Sequence, residues 1–367
     1  MEYANNFVIL LPEMNIHVFN PEHDIALASN LANFTAPHAG RQLRADLGFL
    51  PALWAEEGDV ILVENVEYAT KTWERLRKRL VPWHGTLSSI GWNNMFHRVE
   101  QSVPCHGTTR ILPWGWDKAI KRELERKGFP LSAMPSDRQL ETIRTLSHRQ
   151  TAAQLLPQLQ MEGTVGEAVL CETTEAVEQQ LRLHPRLVLK APWSSSGRGI
   201  RFINRQLNDH QRGWLHNLLK SQGGVMAEPY YEKVKDFGME FESTDEGIRY
   251  LGLSLFHTAN GAYTGNILAT EETKREILSR YIPVSLLDCV KEKICSTLQL
   301  KDYRGPFGID MMVVKENGLR KLHPCVEINL RRTMGHVALA MSPTDDDIRY
   351  VMRIEYTDNY KLRIRKL

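Results

Sequence analysis

Nowhere does the 367-residue chain carry an apolar run near the roughly 20 residues that a bilayer-spanning helix needs. No membrane partner is therefore expected. The longest apolar run near the start, Phe7 to Leu11, is too short for a signal-peptide core and follows Glu2 in place of a basic stretch. Cysteine is scarce: five residues, at 105, 171, 289, 295 and 325, with no C-x-x-C pair. An odd, scattered set fits reduced thiols in a cytoplasm better than a disulfide framework, so a cytoplasmic location is expected. Neither sign of charge is in excess, since 46 Lys and Arg against 44 Asp and Glu leave a formal +2. Nothing in that balance points to nucleic acid. Internal repeats and low-complexity segments are also missing. What remains is an ordinary globular composition, 42% apolar and 25% charged, long enough for two or three domains with a sizeable core. Met14 is a plausible alternative start, because MNIHVF reads as a first strand, so residues 1–13 read as a dispensable extension.

Short β-branched runs, Asn15 to Phe19 and DVILV at 59–63, alternate with helical stretches around Gly40–Leu47 and Tyr68–Leu80. That alternation predicts an α/β layer with parallel strands. Asp117 and Gly128 bracket a further helix as N-cap and stop. A helical stretch from Pro135 breaks near Leu146–Ser147. Strands are then expected at Arg186–Lys190, Ile200–Ile203 and 225–232, with a helix at Asp209–Lys220. FGMEFES and IRYLGLSLFHT form a hairpin around Asp245-Glu246-Gly247, followed by helices near Glu271–Tyr281 and Ser285–Leu298. FGIDMMVV and LRKLHPCVEINLR form a second hairpin around Glu316-Asn317-Gly318.

The second hairpin allows a geometric argument. Strand side chains alternate, so Glu327, Asn329 and Arg331 share one face while Val326, Ile328 and Leu330 take the other. A two-residue turn at Asn317-Gly318 would set Asp310 opposite Cys325, one diagonal step from Glu327. A four-residue loop would set it opposite Glu327 itself. Either register gathers Asp310, Glu327 and Asn329, a hard-ligand set suited to Mg²⁺ held together with substrate phosphates. A solvated polar face is the alternative, and Pro324 warns of a bulge that would shift the register.

LKAPWSSSGRGIRF, Leu189 to Phe202, places a lysine at the end of a buried-looking strand ahead of serines and glycines. It is not a Walker A loop, whose lysine follows the glycines and opens a helix. Gly197 and Gly199 permit close backbone approach, Ser194 to Ser196 offer donors, and Lys190 and Arg198 supply cations, so a phosphate loop and a plain surface hairpin are both compatible.

Taken in order, VLKAPWSSSGRGI, VMAEPYYEKVKDFGMEF, GPFGIDMM and VEINLRRTMG resemble the ATP-grasp superfamily over roughly residues 145–340. The resemblance implies an α/β plus α+β chain, an ATP-grasp fold behind an N-terminal Rossmann-like (pre-ATP-grasp) α/β domain. The implied parts are an N-terminal domain at 1–130, a lid at 131–228 and a C-terminal subdomain carrying the metal site at 229–367. Lys190 would contact phosphates, and the flap from Ser194 through Ser195, Ser196, Gly197 and Arg198 to Gly199 would close over them. Glu228 would begin the hinge beside adenine, with Tyr230 or Tyr231 walling the pocket. Asp236 would take the ribose hydroxyls, with Glu240 as the competitor. Asp310, Glu327 and Asn329 would hold Mg²⁺ (or Mn²⁺), and Arg331 would steady the transferred phosphate. The family often carries a second lysine in an earlier helix, where this chain offers Arg149, for which an exposed helix arginine is the alternative.

The implied reaction uses ATP to activate a carboxylate as an acyl phosphate, which an amine then attacks. Lysine, arginine and metal suffice to position and neutralise charge, with no nucleophilic side chain. The implied partners are small-molecule or peptide carboxylates and amines, and a homodimer is compatible. A kinase acting on a small acceptor and a nucleotide-binding regulator without turnover are the competing readings.

Other residues are weighed and set aside. His23-Asp24, directly after the first strand, could be a base and its orienter, but turn chemistry explains the pair as well. His257 and Tyr263 flank a turn and could face substrate. His323 and Cys325 are two soft ligands only, too few for zinc. The eight tryptophans read as packing and domain-contact residues.

Overall fold

A computed structural model of the chain describes residues 14–83, 95–98, 109–194, 199–259 and 262–367. NIHV and VILV form β1 (Asn15–Val18) and β2 (Val60–Val63). With β3 (Phe96–Arg98) and β4 (Arg110–Pro113) they make a parallel sheet in the order β3-β2-β1-β4. Every position of β2 is buried, which is why the strand reads as an unbroken apolar run. Helices α1 (His23–Ser29), α2 (His38–Leu47), α3 (Val66–Leu80) and α4 (Lys118–Arg126) follow these strands. Asp117 caps α4 as expected, accepting from the Ala119 and Ile120 amides at 2.8 and 2.9 Å. Gly128, at φ 82°, lets the chain leave the helix.

The helical stretch that follows breaks where the sequence predicts, into α5 (Asp137–Leu146) and α6 (Arg149–Leu159), each with its own side-chain cap, Ser136 and His148. Next come β5 (Val169–Cys171), α7 (Thr174–Leu183), β6 (Arg186–Lys190), β7 (Ile200–Asn204), α8 (Asp209–Gln222) and β8 (Val225–Pro229). Their strands form an antiparallel sheet, β5-β8-β6-β7, whose core packs Val177, Leu181, Leu215 and Leu218 of the two helices against Leu187, Leu189 and Val225.

The rest of the chain runs through β9 (Glu232–Thr244), β10 (Gly247–Ser254), β11 (Phe256–Ala259), β12 (Ala262–Leu268), α9 (Glu271–Ser279), α10 (Val284–Thr297), β13 (Gly305–Glu316), β14 (Leu319–Asn329), α11 (Met334–Met341), β15 (Tyr350–Tyr356) and β16 (Tyr360–Lys366). IRYLGLSLFHT, expected as one strand, divides between β10 and β11, which belong to different sheets. The central antiparallel sheet is β10-β9-β13-β14 and the last is β11-β12-β15-β16.

Alternation gives the central sheet two unlike faces. Phe237, Met239, Phe241, Phe307, Ile309 and Ile328 point into a core shared with Leu140, Leu155, Leu159, Leu287 and Ile294. The helices of 137–159 thus pack their apolar face on this sheet, and α6 also meets β5. Gly238, Glu240, Gly308, Asp310, Glu327 and Asn329 alternate with those residues on the other face. A separate core joins the N-terminal sheet to the end of the chain: Trp83 stacks on Tyr350 at 4.3 Å and donates to the Met341 carbonyl at 3.2 Å. That union carries α1 to the end of β14. Among the described residues no helix is long and apolar enough to cross a membrane.

The polar face includes a sealed charge. Glu240 is 3% exposed; its carboxylate accepts from Thr333 Oγ1 at 2.8 Å and lies 3.0 Å from His336 Nδ1. Glycines make room for it, since a Cβ on Gly335 would stand 1.8 Å from Glu240 Oε1. Gly335→Ala should therefore push the carboxylate off Thr333 and His336. Overpacking alone costs about 1–3 kcal/mol and the strained hydrogen bonds add to it. A fall in the urea midpoint at unchanged slope would register this; no fall would mean that Glu240 has room to move.

Candidate active site

One side of the site begins at Lys190, the last residue of β6 and 7% exposed. Its ammonium donates to Glu228 Oε2 at 2.6 Å on the neighbouring strand β8. The flap leaves from here, and its base is fixed. The Ala191 amide donates to the Gly199 carbonyl at 2.8 Å, and a Cβ on Gly199 would meet the Ser194 Cβ at 2.5 Å. The Trp193 indole donates to the Arg144 carbonyl at 2.9 Å, under the Arg144 guanidinium at 3.7 Å. Gln222 brackets the Trp193 backbone, accepting from its amide at 3.0 Å and donating to its carbonyl at 3.2 Å. Ser195, Ser196, Gly197 and Arg198 lie outside the described residues.

The hairpin supplies the opposite side. Its turn is the two-residue one, with Asn317 at φ 51° and Gly318 at φ 81°. Yet Asp310 faces Glu327 and not Cys325, because the register slips between Asp310/Glu327 and Met312/His323. The extra residues on β14 fall around Pro324, which has no amide to give the ladder. Burial and then the Glu327 and Glu240 carboxylates push the Asp310 carboxyl up to about 7, against Arg331 and the Asn329 hydrogen bond. Two facing carboxylates and an amide oxygen fit a hard divalent cation, which would relieve their repulsion. Among the described residues no group of three His, Cys, Asp or Glu side chains forms a metal cage. A set this sparse suits Mg²⁺ shared with phosphates and waters.

Arg149 joins the two sides. It opens α6, is 7% exposed, and so is not a solvent-facing helix arginine. Nη1 donates to the Ala191 carbonyl at 2.8 Å and to Ser194 Oγ at 3.0 Å, and Nη2 to Glu327 Oε2 at 2.7 Å. One guanidinium therefore spans from Ser194 to the β13–β14 hairpin. Its buried Nε has no partner among the described residues.

Arg331 extends the site toward the N-terminal sheet. It pairs in two parallel bonds of 2.7 Å with Asp24 of α1 and donates to Asn329 Oδ1 at 3.1 Å. Burial pushes Asp24 up, but the Arg331 guanidinium outweighs it and holds the carboxyl below its ordinary range. His23, Asp24, Ser194, Glu327 and Asn329 line one small cleft of about 20 Å³. The sequence pattern suggested Asp24 as the orienter of His23. The structure assigns that position to Asp117, whose Oδ2 lies 3.0 Å from His23 Nδ1. No local signal could reveal a partner 94 residues away.

Along β14, burial and then the Asp310, Glu228 and Glu327 carboxylates push the Cys325 thiol up, against the Lys190 charge. Both His323 ring nitrogens are buried without partners among the described residues, and burial with the Lys190 charge brings the ring down to about 3. Tyr231 meets His323 edge-on at 5.7 Å. Tyr230 packs under the Arg186 guanidinium at 3.7 Å and beside Phe202. Asp236 accepts from Lys233 and from Thr258 Oγ1, both at 2.6 Å, and stays partly open, whereas Glu240 is sealed. His257 borders a turn whose tip, 260–261, is outside the described residues; burial and then the Lys235 and Arg353 charges lower it. Tyr263 donates to Asn266 Oδ1.

No protein-family model matches the chain, and no curated protein matches it. Solved structures resemble it in outline. The N5-carboxyaminoimidazole synthetase from Staphylococcus aureus, complexed with ADP, aligns over 93% of this chain and 82% of its own at 11% identity, TM-score 0.46. A protein from Archaeoglobus fulgidus ascribed to the ATP-grasp superfamily aligns over 96% of this chain and 99% of its own at 14% identity, TM-score 0.44. D-alanyl-alanine synthetase A from Vibrio cholerae O1 biovar eltor aligns over 87% of this chain and 89% of its own at 12% identity, TM-score 0.41.

Proposed function

We propose that this chain is an ATP-grasp ligase that uses Mg-ATP to activate a carboxylate as an acyl phosphate for attack by an amine. The observation that carries the reading is Arg149, which bonds Ser194 of the flap and Glu327 of the hairpin at once. It holds the phosphate-loop candidate and the metal-site candidate within one guanidinium of each other. His323 supports the same reading: among the described residues its two buried ring nitrogens meet no partner, at about 1–3 kcal/mol each unless something meets them. Mg-ATP would supply the phosphoryl group. Asp310, Glu327 and Asn329 would hold the metal, Lys190 and Arg149 would neutralise phosphate oxygens, and Tyr231 with His323 would border the base. Asp236 is the open carboxylate for the ribose. The domain division in this reading is 1–130, a lid at 131–228 and a C-terminal part at 229–367, with the lid sheet itself beginning at Val169.

A panel of carboxylates and amines is screened for ADP release. A ligase frees inorganic phosphate only when both substrates are present. A kinase leaves phosphate on the acceptor, and a regulator binds ATP without acceptor-dependent release. Glu327→Gln should lower turnover by about 10²–10³-fold, the effect of losing one preorganised electrostatic contact. It should also weaken Mn²⁺ binding, followed by water-proton relaxation with ATP present. Unchanged relaxation would take Glu327 out of the metal set.

A further inference from the structure

The ligase reading leaves one proton unassigned: the attacking amine must lose it. We propose that His23, oriented by Asp117, is the base that takes that proton. This rests on the ligase reading and names a residue for its second step.

His23 is 1% exposed and sits at the start of α1, between the N-terminal sheet and the end of β14. Asp117 is held before it meets the ring: Oδ1 caps α4 through the Ala119 and Ile120 amides, leaving Oδ2 to the imidazole at 3.0 Å. Asn20 braces the same corner, donating to the Gly115 carbonyl at 2.8 Å and to Asp117 Oδ2 at 3.4 Å. The ring lies against Gly115, where any Cβ would come within 2.6 Å of it. A carboxylate only accepts, so the shared proton rests on Nδ1 and the lone pair on Nε2. The hydrogen bond to Asp117 engages Nδ1, and His23 lines the cleft that holds Glu327, Asn329 and Ser194. The base thus borders the place where an activated carboxylate would lie, without occupying a phosphate or metal contact.

The step balances. The amine lone pair forms the bond to the acyl carbon. The carbon–oxygen bond to phosphate breaks, and its electron pair leaves with the phosphate. The amine proton passes to His23 Nε2, and the imidazolium is stabilised by Asp117. Asp117 is a positioning residue that fixes the tautomer.

The test uses the full chain with Mg-ATP and two nucleophiles. Hydroxylamine, unprotonated at neutral pH, traps an acyl phosphate without a base, and the hydroxamate is read by its ferric colour. The second nucleophile is the alkyl amine found in the screen. His23→Gln should form hydroxamate within about twofold of the wild-type rate while losing about 10²–10⁴-fold in amide formation, the usual worth of a positioned base. The deficit should shrink as pH rises and free amine accumulates. Asp117→Asn should keep hydroxamate formation and lose the Nδ1-protonated tautomer in long-range ¹H–¹⁵N spectra. If the two nucleophiles fall together in His23→Gln, or amide formation is unaffected, His23 is not the base. If the wild-type chain makes no hydroxamate from any carboxylate, the activation reading fails first and the base assignment falls with it.

Discussion

Replacing Lys190 by alanine should end ADP release and also weaken the fold, and the two losses can be separated. The ammonium is 7% exposed and bonded at 2.6 Å to a Glu228 that is 5% exposed. Removing one member of a buried pair leaves the other charge without compensation, at about 3–5 kcal/mol. Lys190→Ala alone would therefore confuse a dead site with a damaged lid. Lys190→Met combined with Glu228→Gln removes both charges at similar volume, and such replacements are often neutral or stabilising. The double variant should regain most of the lost unfolding temperature. It should remain inactive, because a cation preorganised at a phosphate is worth about 10²–10³-fold in rate and a methionine supplies none. A double variant that turns over ATP at the wild-type rate would mean that the pair only fastens β6 to β8. The site would then lose its phosphate anchor.

How far the site could be read in the sequence depends on the range of each contact. Lys190 ahead of glycines and serines, and the Asn-Gly turn between alternating strands, are local patterns, so both sides of the cleft were visible. The register of Asp310 was not. Either turn length would have brought it near Glu327, and the slip around Pro324, not the turn, decided the pairing. Contacts that bind the parts together are further out of reach. Arg149 and Glu327 are 178 residues apart, and Arg331 and Asp24 are 307 apart. Arg149, Glu327 and Arg331 are legible as candidates, but their partners are not: the packing of α6 on β14 brings Arg149 to Glu327, and the docking of α1 at the end of β14 brings Asp24 to Arg331. His323 is hidden for another reason: beside Cys325 it reads as one of two soft ligands, too few for zinc, whereas its distinguishing property is burial without a partner among the described residues, which no spacing encodes.

Asp310→Asn is the variant in which loss of activity should come with a gain of stability. Burial and the facing Glu327 carboxylate raise Asp310 from 3.8 to about 7, so the folded chain keeps a proton that the unfolded chain releases. With more protons bound in the folded state, stability must fall as pH rises through that window. The contribution is whole below the ordinary aspartate value and gone above about 7. Asparagine carries no charge to penalise. The metal-free variant should therefore match the wild-type chain near the acid end and exceed it at pH 8. Because the side chain keeps some contact with water, the gain is discounted to ~1–3 kcal/mol from the pKa displacement. Adding Mg²⁺ and ATP should narrow the gap, since the anionic pair of the wild-type chain gains a ligand that the variant binds less well. Melting temperatures of both proteins across pH 4 to 8, with and without Mg-ATP, carry the test. A variant that loses turnover but melts with the wild-type pH slope would place the strained proton elsewhere. Retained turnover would remove Asp310 from the metal site altogether. The expected pattern, a stabilising substitution that abolishes function, is what a site assembled to bind a cation should show, because its carboxylates repel each other until the cation arrives.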